Sequence, residues 1–459
     1  MLQLDLAGIA HAIGGHLVGD GSGEVQRVIT DSRAVQPGDL FVALDGARTD
    51  GHQYLQQVLD AGAVGALVMP DRGERPPQLP CVVVSDTLQA LGSLARFHLG
   101  RLNANVVGIT GTVGKTTAKD LMAHLLGGPQ HKVHAAPASY NSECGLPLAI
   151  LGADLDTRLL VLEYGINAPG EMKRLLQIAQ PHWSWITALT PVHLEGMGDL
   201  QTIVDEKLLL AEATRSGGAV WMPTSVAEHA ELKQSSWRAR AQTVRVEKVI
   251  RALPGDYQLQ LAGVGEVSLE LEADHEATQV AVACQIALTL GVSAATIIER
   301  LHAMPRPSGR LTRHTFGSVL VLDDAYNASP AAVTAALQVL ARIEGQGRRI
   351  AVLGTMHEMG AGAEHFHRVA GEQVAAGTVD WLIGVGNGGA WIADSAAGSN
   401  MRCDAVATAA DAAQLLQQDL QPGDIILLKA SRAEGLEGVL PLVEKRAVQI
   451  DEASKEGVA

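Results

Sequence analysis

The sequence predicts an α/β protein built from three domains, and three observations carry that expectation. Short β-rich apolar runs (AVGALVM, CVVVSD, NVVGITG, RLLVLEYG, WSWITALT, SVLVLDDA, RIAVLGT, WLIGVG and DIILLKA) alternate with helical patterns along much of the chain, the mark of strands joined by helices. The chain has 459 residues, and at about 150 residues per domain it should hold about three cores rather than one. Apolar residues make up 47% of it, in keeping with a folded globular protein.

Taken in order, the first grouping covers residues 1–100. PGDLFVALDG reads as strand and turn, GHQYLQQVLDAGA as a helix, and MPDRGERPPQLP as a Pro-rich surface connection. The second, residues 101–310, opens with the strand NVVGIT and closes in MPRPSGR, which carries enough Pro and Gly to act as a linker. The third, residues 311–459, begins another strand–helix series and ends in the polar tail DEASKEGVA, expected to fray.

Composition removes several function classes. The net charge of −15 is spread without a long acidic or basic block, which argues against a broad cationic surface for nucleic acid. Cys81, Cys144, Cys284 and Cys403 form no C-x-x-C pair, so neither a zinc site nor a disulfide framework is indicated, and buried reduced thiols are expected. The N-terminal MLQLDLAGIAHAIGGHLVGD lacks a basic leader, and nowhere do 18 apolar residues run together. These features predict a cytosolic, soluble protein without a membrane span; a monomer is the expectation.

The most informative stretch is GITGTVGKTTAKD, Gly108 to Asp120. The usual phosphate-binding loop, G-x-x-x-x-G-K-[ST], would need glycine at position 109, where this chain has Ile109. What remains is the shorter loop Gly111-Thr112-Val113-Gly114-Lys115-Thr116-Thr117. Between a predicted strand and a predicted helix, such a loop aims backbone N–H groups at phosphate oxygens, and the helix N-terminus adds favourable partial charge. Lys115 would hold terminal phosphates, and the Thr116 hydroxyl would face Mg²⁺. Nucleotide chemistry also needs an acid for the metal, commonly at the end of a neighbouring buried strand. RLLVLEYG offers Glu163 there, facing the crevice where open α/β sheets bind ligands. His193 follows the run WSWITALT in PVHLEGMG; an imidazole there could coordinate metal, although a lone histidine is more often structural or solvated.

These residues resemble the Mur ligases, ATP-dependent amide-bond-forming enzymes of peptidoglycan precursor synthesis, whose shortened loop reads G-T-x-G-K-[ST]-[ST]. Ser139-Tyr140-Asn141 followed by Gly145-Leu146-Pro147-Leu148, then Glu163-Tyr164-Gly165, and His193 resemble further motifs of that family in the same order. Lys119-Asp120, Asn167-Ala168-Pro169-Gly170-Glu171, His193-Leu194-Glu195-Gly196 and Asp323-Asp324-Ala325-Tyr326-Asn327 resemble the branch that adds D-alanyl-D-alanine to UDP-N-acetylmuramoyl-tripeptide. Asp31-Ser32-Arg33, Pro37-Gly38-Asp39 and Asp50-Gly51-His52 resemble the UDP-sugar-binding domain of the family.

The resemblance implies an N-terminal UDP-substrate domain, a central ATP-binding domain and a C-terminal Rossmann-like domain. It implies ATP and two Mg²⁺ sites, the first held by Thr116 and Glu163 beside Lys115, the second using His193 and a carbamylated Lys207. In VDEKLLLAEA the residues after Lys207 depart from the K-x-E often seen in the family, so a plain helix lysine stays open as the alternative. By the same resemblance, Asn141, Gln279, Arg310 and Asp324 approach the nucleotide, Gln279 replacing a usual Asn. Ser32, Arg33 and His52 would face the UDP-sugar, and Tyr326, Asn327, Lys429 and Arg432 the peptide substrates, with surface salt bridging as the alternative for Lys429 and Arg432. Thr355 and His357 replace residues more usually acidic or apolar.

Two other readings compete. Gly384, Gly386 and Gly389 stand in G-x-G-x-x-G spacing after an apparent strand, with Asp404 about twenty residues on, which in isolation suggests an NAD site. Late in the chain, it reads better as a glycine-rich turn in a Rossmann-like domain. A P-loop regulator or motor is the other class, disfavoured by the acidic balance and by the lack of an aromatic-basic face. Folylpolyglutamate synthetase shares the loop, but the UDP-type N-terminal motifs argue against it.

Overall fold

Strands buried on both faces need unbroken apolar runs, and the three main sheets form where such runs occur. The structure is a computed structural model that describes residues 3–46, 49–127, 131–190, 194–228, 236–244, 248–251, 256–271, 274–304, 311–398 and 400–456. His193 and Arg310 lie outside the described residues. The chain divides into two units: Met1–Ala188 with Val204–Val244, and Leu189–Ile203 with Arg245–Ala459.

Beside a two-stranded antiparallel pair, Leu4–Asp5 with Glu24–Val25, the described residues of the first unit form two larger sheets. The N-terminal one has five strands in the order His16–Val18, Cys81–Val83, Gly65–Val68, Asp39–Val42 and Arg27–Ile29. Its pairings are parallel except for the antiparallel outer pair His16–Val18 with Cys81–Val83. Phe41, Ala66 and Val68 pack against Leu55 and Val58 from the helix Leu55–Asp60 to form its core.

The second sheet of this unit has six parallel strands in the order Ala241–Val244, Val220–Pro223, Trp183–Ile186, Asn105–Thr110, Leu159–Glu163 and Val133–Ala135. From Asn105–Thr110 the chain runs outward to Val133–Ala135, returns to Leu159–Glu163, and then crosses to Trp183–Ile186 on the other flank. Such a reversal opens a crevice at the carboxyl ends of the central strands, where open α/β sheets take their ligands. The helix Lys115–Leu126 starts at that edge and buries Ala118, Leu121, Met122 and Leu125.

The second unit has a six-stranded sheet ordered Thr312–Phe316, Val319–Asp323, Ile425–Lys429, Arg349–Gly354, Trp381–Val385 and Arg402–Val406. All its pairings are parallel except the hairpin Thr312–Phe316 with Val319–Asp323. Helices cover both faces: Leu353, Leu382 and Leu427 pack on one side, Val352, Ile383 and Leu428 on the other. The unit also holds a three-stranded antiparallel sheet, Lys248–Arg251, Asp256–Leu261 and Gly265–Glu270, followed by the helices Asp274–Thr289 and Ala294–His302. Among the described residues no helix is long and apolar enough to cross a membrane.

Candidate active site

The loop between the strand Asn105–Thr110 and the helix Lys115–Leu126 takes its shape from two glycines. Gly111 has φ +150° and Gly114, at the helix N-cap, has φ +82°, values that L side chains rarely adopt. A Cβ on Gly111 would also collide with the Thr187 hydroxyl. That hydroxyl donates to the Val113 carbonyl at 2.6 Å, and the Thr112 N–H donates to the Ala188 carbonyl at 2.9 Å. The loop is therefore fastened to the end of the neighbouring strand rather than left to fluctuate. Lys115 Nζ donates to the Gly111 carbonyl at 2.8 Å and so lies across the loop.

Glu163, the last residue of its strand, comes to the same edge and is fully buried. Its Oε2 accepts from the Thr116 hydroxyl at 3.2 Å and from Asn141 Nδ2 at 3.3 Å. Thr116 Oγ1 also lies 3.2 Å from Ser139 Oγ. Glu163 Oε1 accepts no hydrogen bond among the described residues. Burial pushes the carboxyl above its usual range, opposed chiefly by the positive charge of Lys119, then by that of Lys115. A buried carboxylate oxygen with no donor, beside a hydroxyl, is a hard-oxygen arrangement of the kind Mg²⁺ favours. Among the described residues no group of three or more His, Cys, Asp or Glu side chains converges.

Lys207 sits in the helix Leu200–Ala213 with about 1% of its surface exposed. Burial, and secondarily the charge of Lys115, holds its amine well below the ordinary lysine range, with Glu171 pulling the other way. A solvated helix lysine is therefore not what the fold contains.

Other candidate residues lie elsewhere in each unit. Asp31 caps the short turn Ser32–Ala34, accepting from the Arg33 N–H and, through two bonds of 2.9 and 2.8 Å, from its guanidinium. Arg33 and these bonds lower the Asp31 carboxyl to about 2. His52 is buried: Nδ1 meets Asp50 Oδ1 at 2.6 Å, and Nε2 accepts from the Met69 N–H at 2.9 Å. That pattern places the proton on Nδ1 and leaves no ring nitrogen for a ligand.

In the second unit, Lys429 Nζ pairs with Asp324 Oδ2 at 2.6 Å and donates to the Asn327 carbonyl at 2.9 Å. The guanidinium of Arg432 stands 5.5 Å from the centre of the Tyr326 ring. Gln279 is buried within the helix Asp274–Thr289. The surface-pairing alternative therefore fails for Lys429, whose side chain is 2% exposed, while Arg432 is 68% exposed and ion-paired with Glu437.

The comparisons with known proteins cover the same ground. Residues 24–98 match the Mur ligase family catalytic domain, 109–274 the Mur ligase middle domain, and 309–432 the Mur ligase glutamate ligase domain. Over 435 residues the chain is 31% identical to the UDP-N-acetylmuramoyl-tripeptide–D-alanyl-D-alanine ligase of Bacillus subtilis strain 168, covering 91% of this chain and 92% of that one. The chain belongs to the Mur ligase family. Its fold matches a crystal structure of MurF from Acinetobacter baumannii with a TM-score of 0.84 at 26% identity, over 96% of this chain and 99% of that one. The MurF ligase of Thermotoga maritima, solved in complex with ADP, matches with a TM-score of 0.78 at 26% identity over 93% and 98% of the two chains. The three-domain architecture of Mur ligases is thus the architecture of this protein.

Some details of this Mur ligase escape sequence reasoning. The G-x-G-x-x-G run does not form a phosphate cradle. A Cβ on Gly384 would collide with the Gly389 carbonyl and one on Gly388 with the His367 ring, so these glycines serve close packing of strand against helix. Asp404, the would-be ribose acid, accepts instead from Trp381 Nε1 and Arg402 Nε. Thr355 and His357, unexplained from sequence, brace the same junction. Thr355 Oγ1 accepts from the Gly388 N–H at 3.2 Å, the His357 N–H donates to Ser431 Oγ at 2.9 Å, and His357 Nε2 pairs with Glu434 Oε1 at 3.1 Å. The approach of Lys119 to Glu163, at 3.7 Å from Oε1, had only a weak sequence signal: a lysine four residues after Lys115, and so on the same helical face.

Proposed function

We propose that this Mur ligase is an ATP-dependent, ADP-forming ligase that joins D-alanyl-D-alanine to UDP-N-acetylmuramoyl-tripeptide. The reading is carried by the likeness, over nine-tenths of both chains, to the Bacillus subtilis ligase named for that reaction. The convergence of Lys115, Thr116 and Glu163 at one sheet edge supports the reading.

A peptide carboxylate is a poor electrophile at neutral pH. Transfer of the γ-phosphoryl group to a carboxylate oxygen releases ADP and leaves an acyl phosphate. The amine of D-alanyl-D-alanine then attacks the carbonyl carbon, and the tetrahedral adduct expels inorganic phosphate as the nitrogen gives up its proton. The obstacle is electrostatic, because two anions must approach in line. Backbone N–H groups from Gly111, Val113, Gly114 and Thr117 cradle phosphate oxygens, Thr112 anchors the loop through its N–H on the Ala188 carbonyl, and Lys115 exchanges the Gly111 carbonyl for a terminal phosphate. Mg²⁺ held by Thr116 and Glu163 would supply positive charge between the phosphates.

A second Mg²⁺ would be held by His193 and carbamylated Lys207. CO₂ reacts only with a neutral amine, and the burial of Lys207 supplies one without a dedicated base. Asn141, Gln279, Arg310 and Asp324 complete the nucleotide contacts. Ser32 and Arg33 face the UDP-sugar, and His52 acts on it indirectly by fixing the Asp50 turn. Tyr326, Asn327, Lys429 and Arg432 border the peptide substrates. The domains run 1–100, 101–310 and 311–459, the protein works as a monomer in the cytoplasm, and positioning with charge neutralisation supplies most of the rate.

Phosphate release from ATP, measured with UDP-muramoyl-tripeptide in the presence and absence of D-alanyl-D-alanine, tests the reading. Turnover that depends on both is expected; turnover indifferent to either would defeat it.

A further inference from the structure

The helix Lys115–Leu126 carries a second cation, a buried one, that the reaction scheme above does not use. Lys119 is 2% exposed, and an ammonium out of water is costly unless its protons are all satisfied. Here they are. Nζ donates to the Ala136 carbonyl at 2.6 Å and the Ala138 carbonyl at 2.7 Å, and pairs with Asp120 Oδ1 at 2.9 Å. With two protons on carbonyls and Asp120 at ion-pair distance, the remaining neighbour, Glu163 Oε1 at 3.7 Å, receives charge without a hydrogen bond.

Two of those acceptors belong to the segment that delivers Ser139 and Asn141 to Thr116 and Glu163. Ala138 has φ +44°, a left-handed conformation that is unfavourable for a residue with a Cβ. Something must hold that turn, and the bond from Lys119 to the Ala138 carbonyl does so. Ser139 then reaches Thr116 Oγ1, and Asn141 reaches Glu163 Oε2.

We propose that Lys119 is a positioning residue for the nucleotide's divalent cation: it clamps the Ala136–Asn141 segment to the phosphate-loop helix and aligns Thr116 with Glu163 while leaving Glu163 Oε1 open. The inference rests on the nucleotide-binding reading above and deepens it.

Calorimetric titration with ADP, once in Mg²⁺ and once in EDTA, separates alignment of the cation site from general damage, and it needs neither peptide nor UDP-sugar. Lys119→Met is expected to weaken ADP binding about tenfold or more in Mg²⁺ and by less than about threefold in EDTA. Equal losses in the two buffers, or none in either, would overturn the proposal. If Lys119→Met does not fold, Lys119→Gln keeps two donors for the two carbonyls without the charge, and the same two readings decide. Wild-type protein that binds no ADP in either buffer would instead defeat the nucleotide-binding reading itself.

Discussion

Two glycine-rich junctions between a buried parallel strand and a helix differ in what surrounds them rather than in their glycines. At the first, Asn105–Thr110 into Lys115–Leu126, a Cβ on Gly111 would strike Thr187; at the second, Trp381–Val385 into Gly386–Ala396, a Cβ on Gly384 would strike Gly389. Both therefore demand glycine for space. The first leaves a buried carboxylate oxygen, Glu163 Oε1, without a donor. The second is closed by its own side chains: Thr355 accepts from the Gly388 N–H, and a Cβ on Gly386 would lie 2.9 Å from Glu434 Oε2. A carboxylate in that position repels the pyrophosphate an NAD site would bind. Glycine spacing reports a close approach of backbone; a ligand is signalled by polar groups that the protein leaves unanswered.

The contrast can be broken most directly by removing one carboxylate from each junction. Glu163→Gln is expected to lower kcat/KM for phosphate release by about a thousandfold or more while leaving the melting temperature nearly unchanged, and Glu434→Gln to change kcat/KM by less than about threefold. A large activity loss in the second variant would mean that the two junctions are not functionally distinct.

A smaller effect is expected from overfilling the second junction. Gly384→Ala should cost about 2–3 kcal/mol in urea unfolding, because backbone rather than a movable side chain stands in the way. Activity per folded molecule should stay near wild type. A variant as stable as the parent would show that the strand and helix approach less closely than the structure has them.

The smallest concerns Lys207. A lysine whose pKa is depressed by burial binds fewer protons in the fold than in the unfolded chain, so stability rises with pH through the window between its two pKa values. Lys207→Met should therefore raise the melting temperature at pH 7 by about 2–4 °C in CO₂-free buffer. That gain should shrink as pH approaches the ordinary lysine value of about 10.4, where the unfolded chain also loses the proton. Turnover should be lost at every pH. A gain of equal size at pH 7 and pH 10 would contradict the depressed amine.

Local patterns determined much of this protein. Apolar runs flanked by turn residues marked the strands, because buried parallel strands need an unbroken apolar stretch, and the shortened loop with Lys115 and Thr116 marked the junction proposed for phosphate, because its geometry is set within seven consecutive residues. Glu163 was legible for a related reason: it ends a strand of four apolar residues at the ligand-binding edge. Only the tertiary structure decided the rest. That His52 spends Nε2 on Met69, that Lys207 is buried, that Lys119 holds a strained turn, and that Glu434 closes the second glycine junction all depend on partners on other elements of the chain. Burial and hydrogen-bond satisfaction belong to the assembled fold: the same lysine is a solvated cation or a neutral amine according to what the chain packs around it.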